Sequence, residues 1–261
     1  MPLQNPAALR HARGAVTPRR IRRDHWSHQM WHEFVNTSRT RVDAGGKYAA
    51  VMFDCDGVLV DSESLIAEVL VEMANDLGGT LTLEQGIDMF RGLPVDRCVT
   101  RLTEYLGHDV SDNLAEQYYH RSEQVFRDRL VPVAGVEDVL RSLTVPTCVV
   151  SNSSRDRLAF ILETAGLSHY FGTRRYAAEQ LAKWKPEPDI YIFAAAQLGF
   201  DASHCVAVED SAAGVEAAVR AGAAVIGFGP AGRTPELLRH GARWICRTMR
   251  HVQDLVDALT R

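Results

Sequence analysis

Two aspartates, Asp54 and Asp56, stand directly after the apolar run 51–53. Neighbouring carboxylates repel each other, and burial at the end of an apolar strand makes their charge more costly. A cation, a proton or a bound ligand can neutralise them, so the pair predicts a site for one of these. Gly57 follows closely, and a residue without Cβ lets the backbone turn and approach a bound anion.

Polar groups also stand where two later apolar runs end. Ser151 and Asn152 follow one run, Glu209 and Asp210 follow another, and Lys185 precedes the proline-rich start of a predicted helix. Ligands of open α/β sheets bind at the carboxyl ends of the strands. We therefore expect these side chains to converge with the two aspartates on one site.

Carboxylates, a hydroxyl, an amide and an ammonium group in one place suit chemistry on a phosphate monoester. A phosphate dianion repels an attacking carboxylate unless a cation offsets the charge, and Mg²⁺ accepts oxygen ligands from both groups. Asp54 could attack phosphorus and bind the cation together with Asp210, while Asp56 exchanges a proton with the leaving oxygen. The hydroxyl and amide groups could donate hydrogen bonds to the phosphate, and Lys185 could add positive charge.

Apolar runs of strand length position these residues. The runs are nearly continuous, as in a parallel sheet covered on both faces, and helical segments that stop at glycine separate most of them. This alternation predicts an α/β core with a doubly wound parallel sheet. The runs are 48–54, 147–151, 204–209, 223–228 and 243–246.

One segment, 62–133, breaks the alternation because it carries helical signals without a convincing strand. It predicts an inserted all-helical cap domain, with the α/β core formed by 48–61 and 134–261. Asp61 and Ser62 are expected to form the hinge and the helix N-cap where the insertion begins. The individual helices are predicted at 65–77, 83–90, 95–106 and 112–129.

The polar groups fall in four ordered segments, DCDGVLVDSE, VVSNSS, KPEPDIY and VEDSAAG. Together these segments resemble the four motifs of the haloacid dehalogenase superfamily, in its branch of phosphatases and phosphomutases with a helical cap. The resemblance covers about 48–228 and leaves 1–47 outside. It implies a Rossmann-like core under a cap, and a reaction that forms an aspartyl phosphate with the help of Mg²⁺.

The resemblance also implies a role for each matched residue. Asp54 would be the phosphorylated nucleophile and Asp56 the general acid and base. Asp210 would hold Mg²⁺ together with Asp54 and the backbone carbonyl of Asp56, and Glu209 would be a further ligand or an acid behind the ligands. The phosphate-binding groups would be Ser151, Asn152, Lys185 and the backbone at Gly57.

The choice between hydrolysis and phosphoryl transfer depends on cap residues. The β-phosphoglucomutases of this branch carry a histidine where this chain has Ile66, and an arginine where it has Val95. Both departures from the mutase pattern favour hydrolysis. Arg91 and Gly92 are the cap residues predicted to contact the substrate. The segments CVVSN and KWKPEP are similar to those of bacterial sugar-phosphate and 6-phosphogluconate-type phosphatases.

Two other functions stay open at this point. One is a β-phosphoglucomutase-like mutase. The other is a non-catalytic, phosphorylatable switch domain, which also places a phosphate-accepting aspartate at a strand end but does not carry a helical insertion over it. Dehalogenation is disfavoured because dehalogenases of the superfamily lack the second aspartate of the first motif, which is present here as Asp56.

The charge is divided unevenly along the chain. Residues 1–47 hold nine Lys and Arg against three Asp and Glu, which leaves 20 against 30 for the rest. An acidic body argues against a nucleic-acid partner, and no apolar run reaches the ~18 residues of a membrane span. We expect residues 1–47 to be a disordered basic extension, with organelle targeting as an alternative. The protein is expected to be cytoplasmic and to be a monomer or a weak dimer.

Two sequence features carry structural expectations of their own. The five cysteines show no CxxC spacing, so buried free thiols are expected. The segment GFGPAG at 227–232 matches the dinucleotide pattern GxGxxG. It falls late in the chain and is interrupted by Pro230, so nucleotide binding is not predicted there.

Overall fold

A computed structural model of the chain describes residues 48–90, 93, 95–107 and 113–260. The predictions for 1–47, Arg91 and Gly92 lie outside the described residues. The described part contains a parallel sheet of six strands in the order β3-β2-β1-β4-β5-β6, so the predicted doubly wound sheet is confirmed. The strands are β1 (Ala50–Phe53), β2 (Thr147–Ser151), β3 (Arg175–Ala177), β4 (Cys205–Glu209), β5 (Ala224–Phe228) and β6 (Trp244–Cys246).

The edge strand β3 is the one strand that the sequence did not predict. It has only the residues Arg-Tyr-Ala, and its first residue is charged, so it does not read as an apolar run. Its pairing with β2, from Val149 to Ser151, holds it in place. A strand this short forms because its neighbour is already ordered, and not because of its own propensity.

Successive residues of the central strand β1 enter two different apolar clusters. Val51 and Phe53 join one cluster, while Ala50 and Met52 join the other. Because strand side chains alternate between faces, both faces of the sheet are covered, as the continuous apolar runs predicted. Helices α1 to α4, whose ranges follow in the next paragraph, belong to the insertion between β1 and β2. The covering helices of the core are α5 (Val136–Ser142), α6 (Arg155–Thr164), α7 (Ser168–Phe171), α8 (Asp189–Leu198), α9 (Ala212–Arg220), α10 (Thr234–Arg239) and α11 (Met249–Thr260).

The described residues between Glu63 and Arg129 form helices joined by short connections and have an apolar cluster of their own. Leu70, Met73, Phe90 and Leu102 are among the buried residues of this cluster. The cluster supports, as a proposal, the division of the chain into a core and a cap at 62–133. The helices of the insertion are α1 (Glu63–Asp76), α2 (Leu83–Phe90), α3 (Val95–Leu106) and α4 (Leu114–Arg129).

The chain leaves the core and returns to it along two adjacent segments. The backbone N–H of Asp61 donates to the carbonyl of Val131 at 3.0 Å, and that of Val133 donates to Leu59, also at 3.0 Å. Val60 forms a bridge to Pro132 between these two bonds. The two ends of the insertion are therefore fixed to each other as well as to the core.

Two smaller findings complete the fold. The five cysteines are buried and free, which confirms the expectation of buried thiols. Within the described ranges, no helix combines the length and the apolar character needed to cross a membrane.

Candidate active site

The three acids of the candidate site come from two neighbouring strands. Asp54 follows β1 directly, Glu209 is the last residue of β4, and Asp210 follows it. The chain moves outward from β1 to β3 and then returns to place β4 beside β1, so the crevice of the doubly wound sheet opens here. All three side chains are buried, and each offers an oxygen that lies within 4.8 Å of the other two.

Burial has a direct electrostatic consequence for two of these acids. It is the largest cause that raises the pKa of Asp54, followed by the charge of Glu209. Burial likewise raises the pKa of Asp210, followed by the charges of Glu63 and Asp54. A nearby cation would favour the ionised forms again, so these carboxylates are suited to hold one.

Lys185 supplies one positive charge directly to this cluster. Its Nζ lies 2.5 Å from Asp54 Oδ1 and 2.6 Å from Glu209 Oε1, and it also donates to the carbonyl of Val150 at 3.0 Å. Burial alone would lower the pKa of Lys185, but the two carboxylates outweigh burial and raise it. The lysine is therefore charged, fully hydrogen-bonded and fixed between the two acids.

Glu209 is enclosed more tightly than the other acids. Its Oε1 accepts the hydroxyl hydrogen of Tyr191 from α8 as well as a bond from Lys185. On its other side lies Gly214 in the first turn of α9, where an added Cβ would lie 2.0 Å from Glu209 Oε2. Only glycine lets α9 come this close, so Glu209 is positioned by two helices and a lysine.

Replacing Gly214 with alanine is expected to lower the free energy of unfolding by about 1–3 kcal/mol, because the new methyl group overlaps a buried carboxylate. Chemical denaturation in urea measures this loss. The matched control is Gly232→Ala, since nothing lies within 4 Å of the Cβ position there. Equal stability of the two variants would contradict the close packing of α9 on Glu209.

Asp56 is held by a residue for which the sequence predicted another role. Ser62 occupies the N-cap position of α1, as expected, but its side chain makes no capping hydrogen bond. Its hydroxyl instead donates to Asp56 Oδ1 at 2.6 Å. Burial raises the pKa of Asp56, and the hydrogen bond from Ser62 opposes this. The hinge therefore orients the carboxyl group predicted to exchange protons.

The predicted phosphate-binding residues lie at the end of β2. Ser151 is buried, and its hydroxyl accepts from the backbone N–H of Ser153 at 3.1 Å. Asn152 Oδ1 accepts from the backbone N–H of Lys185 at 2.8 Å, so this amide holds the loop that carries the lysine. Asn152 also lines the cavity, and its Nδ2 group carries two donor hydrogens.

Gly57 is needed for a reason that the sequence did not indicate. It has φ +77°, and an added Cβ would lie 2.3 Å from Asp210 Oδ2. The expectation was a close approach to a bound phosphate, whereas the nearest group in the structure is the carboxylate of Asp210. Glycine here lets the loop after β1 and the loop after β4 touch.

A cavity of about 310 Å³ opens over these groups. Asp54, Asp56, Ser151, Lys185 and Asp210 line it from the sheet. The insertion lines it from the opposite side with mainly apolar and aromatic side chains, including Ile66, Ile87, Phe90, Tyr118 and Tyr119. The cavity therefore has a charged floor and an apolar roof, a combination that strengthens charge interactions inside it.

Several residues that contact the site acids were not found from the sequence. Tyr191 and Ser62 donate to Glu209 and Asp56, and Arg233 donates to Asp210 at 2.8 Å. Ser62 is only six residues from Asp56 but was predicted to be a helix cap, whereas Tyr191 and Arg233 are distant in the chain from the acids they contact, so no local spacing signals them.

The donor set fits a small divalent cation that prefers oxygen. Asp54, Glu209 and Asp210 provide buried carboxylate oxygens within mutual reach, and thiol or imidazole groups are absent from this described cluster. Cations such as Mg²⁺ take carboxylate and phosphate oxygens as ligands. The chemistry of the residues therefore agrees with the predicted cation.

Comparison with known proteins places the chain among characterised relatives. The family model for haloacid dehalogenase-like hydrolases matches residues 48–222. The chain is 31% identical to 6-phosphogluconate phosphatase of Escherichia coli (strain K12) over 181 residues, which are 69% of this chain and 81% of that protein.

It is also 29% identical to a phosphorylated carbohydrates phosphatase of Thermotoga maritima, over 66% of this chain and 81% of that one. A crystal structure of a family hydrolase from Deinococcus radiodurans R1, with bound phosphate and sodium, superposes with a TM-score of 0.69. The sequence identity is 31%, and the match covers 82% of this chain and 97% of that one.

Proposed function

Because this chain belongs to the haloacid dehalogenase-like hydrolase family, we propose that it is a Mg²⁺-dependent phosphatase of small phosphorylated sugars or sugar acids. The observation that supports this proposal most directly is the buried cluster of Asp54, Glu209 and Asp210, which Lys185 joins at the floor of the cavity. The two curated relatives described above are a 6-phosphogluconate phosphatase and a phosphorylated carbohydrates phosphatase, which supports the substrate class.

The cation is held, in this proposal, by the carboxylates of Asp54 and Asp210 and by the backbone carbonyl of Asp56. Glu209 has Oε1 engaged by Lys185 and Tyr191, and its Oε2 accepts from the hydroxyl of Ser211 at 3.4 Å. It would therefore contribute through a remaining lone pair or through its charge alone. Bound Mg²⁺ offsets the negative charge that a phosphate dianion and an attacking carboxylate share.

The reaction starts with attack of a carboxylate oxygen of Asp54 on phosphorus. The bond from phosphorus to the alcohol oxygen breaks, and Asp56 gives that oxygen its proton, so the alcohol leaves neutral. Asp56 then takes a proton from water, which attacks the phosphorus of the aspartyl phosphate. The bond from phosphorus to the Asp54 oxygen breaks, so phosphate leaves and Asp54 returns to its carboxylate form. The pKa of Asp56, raised by burial, suits a group that must carry a proton at the start.

Lys185 acts on both parts of the site. Its contact with Asp54 at 2.5 Å favours the ionised nucleophile against the effect of burial, and its charge attracts the phosphate. Ser151, Asn152 and the backbone at Gly57 complete the phosphate-binding loop in this proposal. Ser151 and Asn152 line the cavity beside Asp54, which supports that role.

The insertion is proposed to be the cap that selects the substrate and excludes water. Arg91 and Gly92 are proposed to contact the part of the substrate that lies away from the phosphate. Ile66 lines the cavity, at the position where the mutases of the family carry a histidine. An isoleucine cannot transfer a proton, which supports water as the acceptor of the phosphoryl group.

The test is a panel of phosphorylated sugars and sugar acids, assayed for release of inorganic phosphate with and without Mg²⁺. We expect Mg²⁺-dependent release that EDTA abolishes. The panel includes β-glucose 1-phosphate with a bisphosphate activator. Isomerised sugar phosphate in place of free phosphate would establish the mutase, and a stable phosphoprotein without turnover would establish the switch domain.

A further inference from the structure

One buried cation near the site comes from a loop that the proposed reaction does not use. Arg233 is the last residue of the short 3-10 turn Ala231–Arg233, which follows β5. The turn begins inside the GFGPAG segment at 227–232, and Arg233 is the first residue after that segment. Arg233 is only 7% exposed, although arginine is rarely buried unless it is paired.

The guanidinium of Arg233 contacts two carboxylates. Nη1 donates to Asp210 Oδ2 at 2.8 Å, and Nη2 lies 3.3 Å from Glu63 Oε1. Glu63 is in the first turn of α1, so the two partners belong to the core and to the insertion. A planar guanidinium held at two nitrogens has a fixed orientation, and its hydrogen bonds therefore fix the direction of the groups that accept them.

The loop after β5 has the shape that this arginine needs. Gly229 has φ +148°, which side-chain-bearing residues rarely adopt, and an added Cβ would lie 3.3 Å from Arg233 Cδ. The glycine therefore leaves room for the arginine side chain to run back towards the sheet. The glycine at position 229 of the GFGPAG segment is therefore explained by the packing of Arg233, without a nucleotide.

We infer that Arg233 is a positioning residue that holds the carboxylate of Asp210 in the orientation required to bind the divalent cation. Asp210 lies among other acids, and its Oδ2 would be repelled by them without this donor. With Oδ2 held, Oδ1 would be left in a constant orientation from which it could bind a cation. Groups that hydrogen-bond to ligating carboxylates change metal affinity by about 10–100-fold when they are removed.

A simpler role for Arg233 makes the opposite prediction. If the arginine only neutralised excess negative charge, its removal would leave the site more negative and would strengthen the binding of Mg²⁺. If it positions Asp210, its removal weakens binding. The sign of the change in affinity therefore distinguishes the two roles. The inference rests on the cation of the proposed function, but it concerns a residue outside that mechanism.

The experiment is a calorimetric titration of Mg²⁺ into the substrate-free protein. Arg233→Met is expected to bind Mg²⁺ at least about tenfold more weakly than the wild type. Arg233→Lys keeps the charge but cannot hold two carboxylates in one plane, so it is expected to bind more tightly than Arg233→Met and more weakly than the wild type. The matched control is Arg141→Met, because Arg141 also pairs with two carboxylates, Glu137 and Asp138, on the surface of α5.

Unchanged or tighter Mg²⁺ binding by Arg233→Met would overturn this role, provided that circular dichroism shows a folded protein. If Arg233→Met does not fold, Arg233→Lys decides the matter. Affinity equal to that of the wild type would then overturn the role, since only the charge would matter. Absence of Mg²⁺ binding by the wild type itself would instead contradict the cation of the proposed function.

Discussion

Replacing Asp54 with asparagine is expected to lower the rate of phosphate release by at least about 10³-fold, because the proposed nucleophile is lost and the residual rate comes from binding alone. Asparagine has nearly the same shape and can still accept a hydrogen bond from Lys185. The fold should therefore survive, and the loss would lie in the chemistry. The assay is steady-state release of phosphate from p-nitrophenyl phosphate in the presence of Mg²⁺.

Asp61→Asn is the matched control for this experiment. Asp61 lies in the same acidic segment, but its side chain is exposed and outside the carboxylate cluster. It should keep nearly the full rate. If Asp54→Asn retained more than about a tenth of the wild-type rate, a difference of less than ~1.4 kcal/mol in the barrier, Asp54 would not be the nucleophile.

Replacing Lys185 with methionine is expected to lower the free energy of unfolding by about 3–5 kcal/mol and to abolish turnover. The lysine is the partner of two buried carboxylates, at 2.5 Å from Asp54 and 2.6 Å from Glu209. Methionine fills a similar volume but leaves both acids without their cation. Urea denaturation in the absence of Mg²⁺ measures the change in stability.

The pH dependence of this loss has a definite sign. Burial raises the pKa of Asp54 from 3.8 to about 8 even with the lysine present. The folded protein thus binds this proton more tightly than the unfolded chain does, so the stability linked to it is lost as pH rises through that range. Removing Lys185 raises the pKa further. The destabilisation of Lys185→Met should therefore be greater at about pH 8 than at about pH 6.

Lys183→Met provides the comparison for Lys185→Met. Lys183 pairs with Asp189 at 2.7 Å, but its side chain is 46% exposed, and exposed pairs contribute only about 0–1 kcal/mol. It should leave stability and turnover almost unchanged. A loss of similar size in both variants would mean that the loop containing the lysines matters more than the buried charge.

The positions of the site acids could be predicted because each of them ends an apolar run. Asp54 and Asp210 follow strands whose burial the sequence makes evident, and the rule that ligands bind at the carboxyl ends of strands brings them together. The helices of the insertion could also be predicted, because a stripe of apolar residues with helical spacing marks a buried face. The structure begins α4 at Leu114, two residues after the predicted start.

The partners of those acids could not be predicted, because tertiary packing creates them. Tyr191 lies inside α8 and looks like an ordinary core aromatic until α8 packs over β1 and β2 and brings the tyrosine hydroxyl to Glu209. Ser62 has the residue type and position of a helix cap, so its hydrogen bond to Asp56 competes with a more common role. Arg233 follows the GFGPAG segment, where no ligand was predicted, and its partner Asp210 lies 23 residues away in the chain.

The paired crossings at Val60 and Pro132 also have an evolutionary consequence. Since the chain departs and returns through two hydrogen-bonded neighbours, the sheet does not depend on how many residues lie between them. A longer, shorter or different helical segment can be inherited at this junction while the strand register stays the same. Under the proposed function, selection could change which substrate enters the cavity by exchanging this segment, while the carboxylates proposed to do the chemistry stay the same.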